Sequence, residues 1–352
     1  MAIVCQNLPH WLMATSERPP RPPRPATITD VARAAGVAPS TVSRAFSRPG
    51  RVNHRTREHV LAVAETLGYQ PNPAAQALES GRTRTIGLVV PDITNPYFAG
   101  VIKGAERAAA AAGLTLLLGD TQESAAQEAA MVRRLGRAVD GFVLSASRLS
   151  DDDLRAAAAR TPVALVNRAV PGIGCVVADY EAGTRQIVEH LAAHGHESVV
   201  FAGGPPESWS GRQRWAGLRV AAERLGLEAT RYGPFQPTLA GGPAAADAVV
   251  ARGATAVVCH NDMLAIGLMR RLTKRGVRIP EDVSVVGFDD IFGADFCTPT
   301  LTTLAERTEE AGAHAVDVLV RQIPRRETEE PARVLPTELV ARESAGRVRT
   351  TS

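Results

Sequence analysis

The sequence has few aromatic residues, few cysteines and no long apolar run. Aromatic residues make up 4% of its 352 residues and apolar residues 45%, so its cores must be largely aliphatic. The four cysteines (Cys5, Cys175, Cys259 and Cys297) form no CxxC pair and have no ligand-like spacing, which indicates free thiols in a reducing compartment. No run approaches the roughly eighteen apolar residues of a membrane span. A disulfide scaffold and a membrane protein are therefore excluded.

Signatures of nucleotide binding, hydrolysis and export are also missing. There is no GxGxxG after a strand, no GxxxxGK[ST], no GxSxG and no HExxH. The first thirteen residues lack a basic region and contain Pro9, so we expect no signal peptide and a cytoplasmic protein. Residues 18–25, RPPRPPRP, are typical of an extended, disordered tail in solvent. Contact of its arginines with DNA phosphates is the alternative.

Two segments that contain histidine have patterns that could indicate a metal site or a nucleophile–base pair. His190, His194 and His196 could suggest a metal site, but they lie around Gly195 at a predicted helix end, where positive charge is favourable. Cys259 and His260 are neighbours on a predicted strand, so their side chains point to opposite faces and form no nucleophile–base pair. We expect no metal, no cofactor and no catalytic residues.

The charge is distributed unevenly along the chain. Residues 1–84 contain eleven arginines and five acidic residues, a net charge of +6, although the whole chain carries only +3. The remainder is therefore mildly acidic at −3. A basic N-terminal region on an acidic body is typical of a protein whose N-terminal region contacts phosphates.

Residues 27–47 have the pattern of two short helices joined by a glycine turn. Thr27 and Asp30 predict a capping box, and the apolar residues Val31, Ala34 and Ala35 follow at helical spacing. Gly36 is suited to end this helix, because glycine adopts the left-handed backbone easily. Pro39 is suited to begin the second helix, PSTVSRAF. This is the helix-turn-helix pattern, in which the second helix enters the DNA major groove.

Residues 27–78 resemble the lac-repressor (LacI/GalR) family of bacterial transcription regulators. The resemblance rests on TITDVARAAGV, TVSRAF, RVNHRTREHVLAVAETLGYQPN and the following AxxL. It implies operator binding by these residues: Thr27, Pro39, Ser40, Thr41, Ser43, Arg44, Asn53, Ala75 and Leu78. Of these, Arg44 can bond guanine O6 and N7 together, while Pro39 and Ser40 lie nearest the helix start. Ala38 cannot cap that helix with its side chain.

A hinge helix is predicted after the helix-turn-helix. Asn72 is suited to the N-cap and Pro73 to the first helical position, so NPAAQALES can form two turns, which are too few to be stable alone. Leu78 resembles the residue that the family inserts between base pairs from the minor groove. Packing of Leu78 on the body is the alternative.

From Thr85 onward, short apolar runs alternate with helical segments. Strands are predicted at 85–90, 114–119, 141–145, 163–167, 198–203, 256–260 and 283–288. Helices are predicted at 99–112, 126–137, 182–193, 212–224, 244–251 and 262–275. Apolar runs alternating with helices predict doubly wound parallel sheets, whose strands are buried on both faces.

Polar residues follow four of the predicted strands. They are Asn95, Tyr97 and Phe98, then Asn167 and Arg168, then Asn261 and Asp262, and finally Asp289 and Asp290. Open α/β sheets bind ligands at such carboxyl ends, and amides, carboxylates and aromatic rings suit a polyhydroxylated ligand. Asp262 and Asp290 are better interpreted as helix caps than as ligand contacts.

The body resembles the effector domain of the same family and the periplasmic sugar-binding proteins. The matching segments are IGLVVPDITNPYF, VNRAVPG, GRQRWAGLR, CHNDMLAIG, IPEDVSVVGFDD and TPTLTTL. The resemblance implies that these residues bind an effector: Asn95, Tyr97, Phe98, Asn167, Arg168, Arg212, Arg214, Asn261 and Asp289. The resemblance favours a sugar-like effector. Many sugar-responsive members carry Asp at the position of Asn167, and because this chain lacks that charge, a purine or another small metabolite is the alternative.

We therefore predict an N-terminal all-α helix-turn-helix domain on a two-lobed α/β body like the periplasmic binding proteins. The expected divisions are 1–25 disordered, 26–71 DNA-binding, 72–84 hinge helix and linker, 85–345 effector-binding and dimerisation, and 346–352 flexible.

The predicted function is an effector-controlled repressor, associated with the nucleoid. Because one short helix reads little DNA, it should bind a palindromic operator as a homodimer. The tail has no leucine heptads to support a tetramer. A solute-binding receptor and a sugar-processing enzyme are the competing classes.

Overall fold

The computed structural model describes residues 24–72, 81–325 and 332–347. The chain divides into two compact units, with the boundary between Arg82 and Thr83. We call the first the head and the second the body. Predictions for the extension before residue 24, for the hinge helix with Ala75 and Leu78, and for the tail after residue 347 lie outside the described residues.

Three helices form the head: α1 (Ile28–Ala35), α2 (Pro39–Ser47) and α3 (His54–Thr66). The predicted limits of α1 and α2 are confirmed. Gly36 ends α1 with φ of 66°, and Pro39 occupies the first turn of α2. The N-cap of α2 is Ala38, which makes no side-chain hydrogen bond, as its methyl group requires.

The head has a small aliphatic core to which all three helices contribute. Val31, Val42 and Val60 are completely buried, one from each helix, and the ring of Phe46 packs edge-on against Tyr69 at 5.8 Å. The prediction for Ala34 was wrong. Ala34 is exposed and Ala32 is buried, because the apolar stripe of α1 continues from Val31 through Ala32 to Ala35.

The described part of the body contains twelve strands, which include all seven predicted ones with ends shifted by one residue at most. They are β1 (Thr85–Val90), β2 (Thr115–Asp120), β3 (Gly141–Ser145), β4 (Val163–Val166), β5 (Cys175–Ala178), β6 (Ser198–Ala202), β7 (Glu228–Tyr232), β8 (Ala256–Cys259), β9 (Ser284–Asp289), β10 (Thr302–Glu306), β11 (Arg333–Leu335) and β12 (Thr337–Val340).

Eight helices lie between these strands. They are α4 (Tyr97–Ala111), α5 (Ala125–Leu135), α6 (Asp151–Ala158), α7 (Tyr180–Ala193), α8 (Trp209–Leu225), α9 (Gly242–Val250), α10 (Asp262–Lys274) and α11 (Thr308–Arg325). Two of them, α6 and α11, were not predicted. The first turn of α6 is three aspartates, and α11 has several charged residues, so neither shows a continuous apolar pattern.

The strands form two six-stranded sheets, one in each lobe. The first has the order β11-β5-β4-β3-β1-β2 and is parallel throughout, while the second has the order β12-β10-β9-β8-β6-β7. Only β12 runs antiparallel, against β10. The predicted fold class is thus confirmed. The prediction that the strands are buried on both faces was wrong for β2. Leu117 and Leu118 are exposed because this strand is at the sheet edge, with β1 as its neighbour.

The chain passes three times between the lobes, after β5, after β10 and after β11. Helix α11, which follows β10 of the second sheet, packs in the core of the first lobe. The connections are bonded to one another: the Asp179 amide donates to the Leu335 carbonyl at 2.9 Å, and the Thr337 hydroxyl donates to the Asp179 carbonyl at 3.0 Å. A cleft between the two lobes is therefore bordered by a shared set of connections.

Candidate functional sites

Helix α2 presents one face to the head core and another to solvent. Val42 and Ala45 are buried, whereas Pro39, Ser40 and Arg44 are exposed. An exposed guanidinium in the middle of the second helix has the geometry needed to contact base edges in the major groove. Thr41 and Ser43 are half-buried on the flanks of the same helix.

Thr27 and Asn53 lie at the beginning of α1 and α3. The Asp30 carboxylate accepts hydrogen bonds from the Thr27 amide at 2.9 Å and its hydroxyl at 2.6 Å, and these bonds lower the Asp30 pKa. The Asn53 side chain accepts from the Arg55 amide at 3.0 Å. Both residues therefore stabilise helix starts, which are also places where backbone amides can meet phosphate.

Seven of the nine predicted effector residues line one small cavity between the lobes, of about 40 Å³. They are Asn95, Tyr97, Phe98, Asn167, Arg214, Asn261 and Asp289. The first four follow strands of the first lobe, and Asn261 and Asp289 lie at the ends of strands of the second. Arg214 comes from the first turns of α8, on the second lobe. The carboxyl ends of the two parallel sheets thus converge on the same space.

Arg214 is the centre of this cavity's hydrogen bonds. One nitrogen, Nη2, lies 2.9 Å from Asp289 Oδ1 and 2.8 Å from Glu306 Oε1, while Nη1 donates to the His260 carbonyl at 2.5 Å. The side chains of all three ionic groups are at most 5% exposed. The guanidinium also lies 4.5 Å from the centre of the Phe288 ring. Removal of one partner would therefore leave buried charge uncompensated.

Glu306 extends this network to the first lobe. Its Oε2 accepts from the Tyr97 hydroxyl at 3.1 Å and from Asn167 Nδ2 at 2.7 Å, and the same amide nitrogen also contacts the Tyr97 hydroxyl. Asn167 Oδ1 in turn accepts from the Ala178 amide at 3.2 Å. An Asp at position 167 would place a second carboxylate against Glu306, which is a physical reason for Asn here.

Burial changes the ionisation of several cleft groups. It raises the pKa of Tyr97 well above its usual value, and it raises the pKa of Asp289, although Arg214 acts in the opposite direction. Burial and the charges of Arg214 and Arg148 hold the pKa of His260 well below its usual value. Tyr97 is therefore a neutral hydrogen-bonding phenol, and His260 a neutral imidazole, at neutral pH.

The backbone around the cavity is strained. Ala146, Asn167 and Asp289 have φ values of 47°, 49° and 115°, and Glu123 has 59°. All four line the cavity, and positive φ is unfavourable for residues with a Cβ. Strain of this kind persists where the surrounding structure holds it and is frequent at ligand sites.

The small cavity continues into a larger one of about 600 Å³ at the mouth of the cleft. Glu123 and Pro237 line both cavities. The mouth has acidic Asp92 and Asp120 on the first lobe and an apolar wall with Phe235 on the second. Its volume is in the range of small-molecule sites.

Six residues that line the cavity were not predicted: Glu123, Ala146, Arg148, Ser210, Pro237 and His260. Glu306, which contacts the cavity residues above, was not predicted either. His260 is the last residue of a predicted strand, so its position was a usable signal. Glu306 ends β10, whose apolar pattern is weak, and no such signal marked it. Arg148 donates to Glu123 Oε2 at 2.7 Å and to the Ala146 carbonyl at 2.8 Å.

Arg168 and Arg212 are the two predicted effector residues that do not line the small cavity. The buried Arg168 donates to Asp151 Oδ1 at 2.5 Å, and the exposed Arg212 donates to the Pro206 carbonyl at 2.8 Å. Each guanidinium is thus directed to a protein partner in this structure.

The cap interpretation of Asp262 and Asp290 was wrong. Asn261 is the N-cap of α10 and accepts from the Leu264 amide at 3.0 Å, since it comes one residue before the first helical turn. Asp262 is buried and accepts from the Thr303 hydroxyl at 2.6 Å and from the Ile291 amide at 2.9 Å. Asp290 precedes no helix, and it accepts from Arg342 at 2.7 Å.

Two histidines at the end of α7, His194 and His196, have protein partners: the His194 ring contacts the His190 carbonyl at 2.8 Å. His194 is the C-cap residue, Gly195 follows with φ of 85°, and His196 contacts the hydroxyls of Thr255 and Ser284 at 3.0 Å each. Within residues 24–72, 81–325 and 332–347, no group of three His, Cys, Asp or Glu side chains could hold a metal ion. In the same ranges, no helix is long and apolar enough to cross a membrane.

A helix-turn-helix head followed by a two-lobed body with a polar cleft defines a class of DNA-binding regulators that contain a ligand-binding domain. The family model described as bacterial regulatory proteins, lacI family, matches residues 27–72, and the periplasmic binding protein-like domain matches residues 188–345. The chain belongs to the lacI family of bacterial regulatory proteins.

Known relatives match over almost the whole chain. The transcriptional repressor CytR of Escherichia coli (strain K12) is 32% identical, over 91% of this chain and 96% of its own. The repressor PurR of Photobacterium profundum is 31% identical, over 91% and 98%. The solved lac repressor dimer, bound to operator and the anti-inducer ONPF, matches with a TM-score of 0.80 and 29% identity, over 92% and 100%. These relatives are transcription regulators, and this chain is a DNA-binding transcription regulator.

Proposed function

We propose that this chain is a repressor that binds a palindromic operator as a homodimer and is controlled by a sugar-like effector in the cleft. One observation carries the proposal. The same chain joins a helix-turn-helix head with an exposed Arg44 to a two-lobed body in which Arg214 of the second lobe bonds the buried Asp289 and Glu306 beside an interlobe cavity.

Helix α2 and the lac repressor match support the DNA-binding part. Arg44 is suited to guanine, and Pro39 and Ser40 lie at the helix start, which enters the groove first. The lac repressor structure contains a dimer on its operator. A dimer presents two copies of α2, so we infer an operator of two related half-sites.

The cleft chemistry supports a polyhydroxylated effector. Carboxylates, amides and a guanidinium accept and donate hydrogen bonds to hydroxyls, and Phe98 offers an apolar ring in the same cavity. Similar chains were solved with cellobiose, at 31% identity and a TM-score of 0.68, and with ribose, at 28% and 0.65. A sugar is therefore favoured over a purine. Glu306 supplies beside Asn167 the negative charge that other members carry at that position.

The small cavity is nearly filled by the protein's own bonded side chains. A ligand in it must replace some of the bonds that join Glu306, Asn167 and Arg214, and of these the bond between Glu306 and Asn167 connects the two lobes. Ligand binding therefore favours another arrangement of the lobes, and DNA affinity changes by the ligand's differential affinity for the two arrangements.

We infer that the cleft binds its ligand without transforming it. Among the described residues no hydrogen bond joins Ser210 to His260; the Ser210 hydroxyl lies 3.2 Å from that of Ser208. A hydroxyl nucleophile needs a base in contact, so this one is not activated. As an operator-binding repressor, the protein would act on the nucleoid in the cytoplasm.

The test begins with DNA selected from a random library by the purified chain, since the selected sequence should be a palindrome. Operator affinity is then measured with and without D-ribose, cellobiose and adenine. We expect at least one sugar to change operator affinity by more than about fivefold, the lower range of allosteric coupling. Non-palindromic selected DNA would overturn the dimer, and a response to adenine alone would overturn the sugar class.

A further inference from the structure

The cleft wall contains a buried histidine whose ring has no partner among the described residues. His260 follows β8 and is 4% exposed. Its backbone is fully used, because its amide donates to the Ala202 carbonyl at 2.8 Å and its carbonyl accepts from Arg214 at 2.5 Å. Its Nδ1 is enclosed, and within the described ranges no hydrogen bond reaches either ring nitrogen. Buried polar atoms are rarely left in this state.

Two glycines create the space that the imidazole occupies. A Cβ at Gly204 would lie 2.6 Å from the ring carbons of His260, and a Cβ at Gly211 would lie 2.7 Å from its Cε1. Any larger residue at either position would displace the ring. The imidazole is therefore held in one place in the wall of the cavity that it lines.

The surrounding charges keep this ring neutral. Burial first, and then the guanidinium groups of Arg214, Arg148 and Arg231, lower its pKa well below the usual value. A neutral imidazole has one N–H donor and one acceptor nitrogen. It cannot pair with an anion as a cation would, but it can bond a hydroxyl whichever nitrogen carries the proton.

We propose that His260 is a specificity-determining residue of the cleft, which hydrogen-bonds a hydroxyl of the effector. The unpartnered ring, its fixed position between two glycines and its place in the cavity wall carry this assignment. It rests on the proposed sugar-like effector, and it adds a contact that a purely aliphatic ligand could not make.

The experiment compares His260→Phe, which keeps a ring of similar size, with His260→Gln, which retains a donor and an acceptor. Dissociation constants for D-ribose, cellobiose and adenine are measured by calorimetry on the full chain. We expect the Phe variant to bind the responding sugar about tenfold more weakly, as for the loss of one hydrogen bond. The Gln variant should stay within about threefold of the unaltered chain.

The control is His194→Gln, at the end of α7, where the ring contacts the His190 carbonyl instead of the cleft. It should leave sugar affinity unchanged. Addition of the sugar should also shift the ring ¹⁵N resonances of His260, and His194→Gln should keep the operator affinity that the unaltered chain has without sugar.

The outcomes separate this inference from the proposed function. Equal sugar affinity in His260→Phe and the unaltered chain overturns the role of His260, even where the variant is less stable. Binding of adenine alone overturns both the sugar class and the hydroxyl contact. If none of the three probes binds the unaltered chain, the sugar-like effector and the role of His260 are both overturned. The palindromic operator is tested separately, by the DNA selection.

Discussion

The head and the body differ in the solvent exposure of their functional side chains. In the head, Arg44 stands in solvent on a helix whose other face forms the core. In the body, Arg214, Asp289 and Glu306 are nearly inaccessible and bonded to one another. An exposed head residue such as Arg44 can therefore change with little effect on its neighbours, whereas a cleft residue serves ligand binding and stability together.

The largest effect that would test this difference is expected for Arg214→Ala. It leaves two buried carboxylates without their cation, so the free energy of unfolding should fall by about 3–5 kcal/mol, as for other broken buried pairs. The sugar response should be lost as well. Denaturant unfolding followed by circular dichroism measures the first effect.

Arg219→Ala is the matched control on the same helix. The Arg219 side chain is 58% exposed and lies 4.0 Å from Glu223, so its removal should change stability by less than about 0.5 kcal/mol. Equal losses in the two variants would contradict the importance of the buried network.

Arg44→Ala should have an intermediate effect, on DNA binding instead of stability. We expect operator affinity to fall by about 1–3 kcal/mol, affinity for random DNA to fall much less, and unfolding to be unchanged. Fluorescence anisotropy on the selected operator and on a scrambled duplex measures this. Arg48→Ala, at the exposed end of α2, is the control. If both DNAs lose affinity equally, Arg44 contacts phosphate only.

The smallest effect concerns how the stability of the body depends on pH. Burial raises the pKa of Asp262 from 3.8 to about 7, so the folded state holds this proton more tightly than the unfolded state. Stability from this group therefore decreases as pH rises from about 4 to about 7. Between pH 6 and pH 8 it should decrease by roughly 1 kcal/mol.

Asp262→Asn should remove that part of the pH dependence. Thermal unfolding of both proteins at pH 6 and pH 8 measures it, and the difference between the two profiles isolates Asp262 from the buried histidines, whose pKa values are lowered. Parallel profiles would show that Asp262 does not titrate in this range.

Local patterns accounted for the head and for the central strands of the body. The glycine at 36, the proline at 39 and the Thr27–Asp30 pair act within one helical turn, so their consequences are visible in the sequence. The strands that were not predicted lack such a local pattern. Glu228–Tyr232 has charged residues at an exposed sheet edge, and Cys175–Ala178 and Arg333–Leu335 are short, so their partners in the sheet define them more than their own residues do.

The sequence by itself determined the first two helices of the head and the central strands of the body, that polar side chains end several of these strands, and that the N-terminal region is basic. Only the tertiary structure decided which of these side chains meet. Glu306 reaches Asn167, 139 residues earlier, because the chain passes between the lobes after β10. Two glycines enclose His260, and Asn261 caps a helix while the neighbouring Asp262 is buried. Local propensities act over a few residues, whereas hydrogen bonds in a buried cleft depend on backbones brought together by the packing of whole sheets.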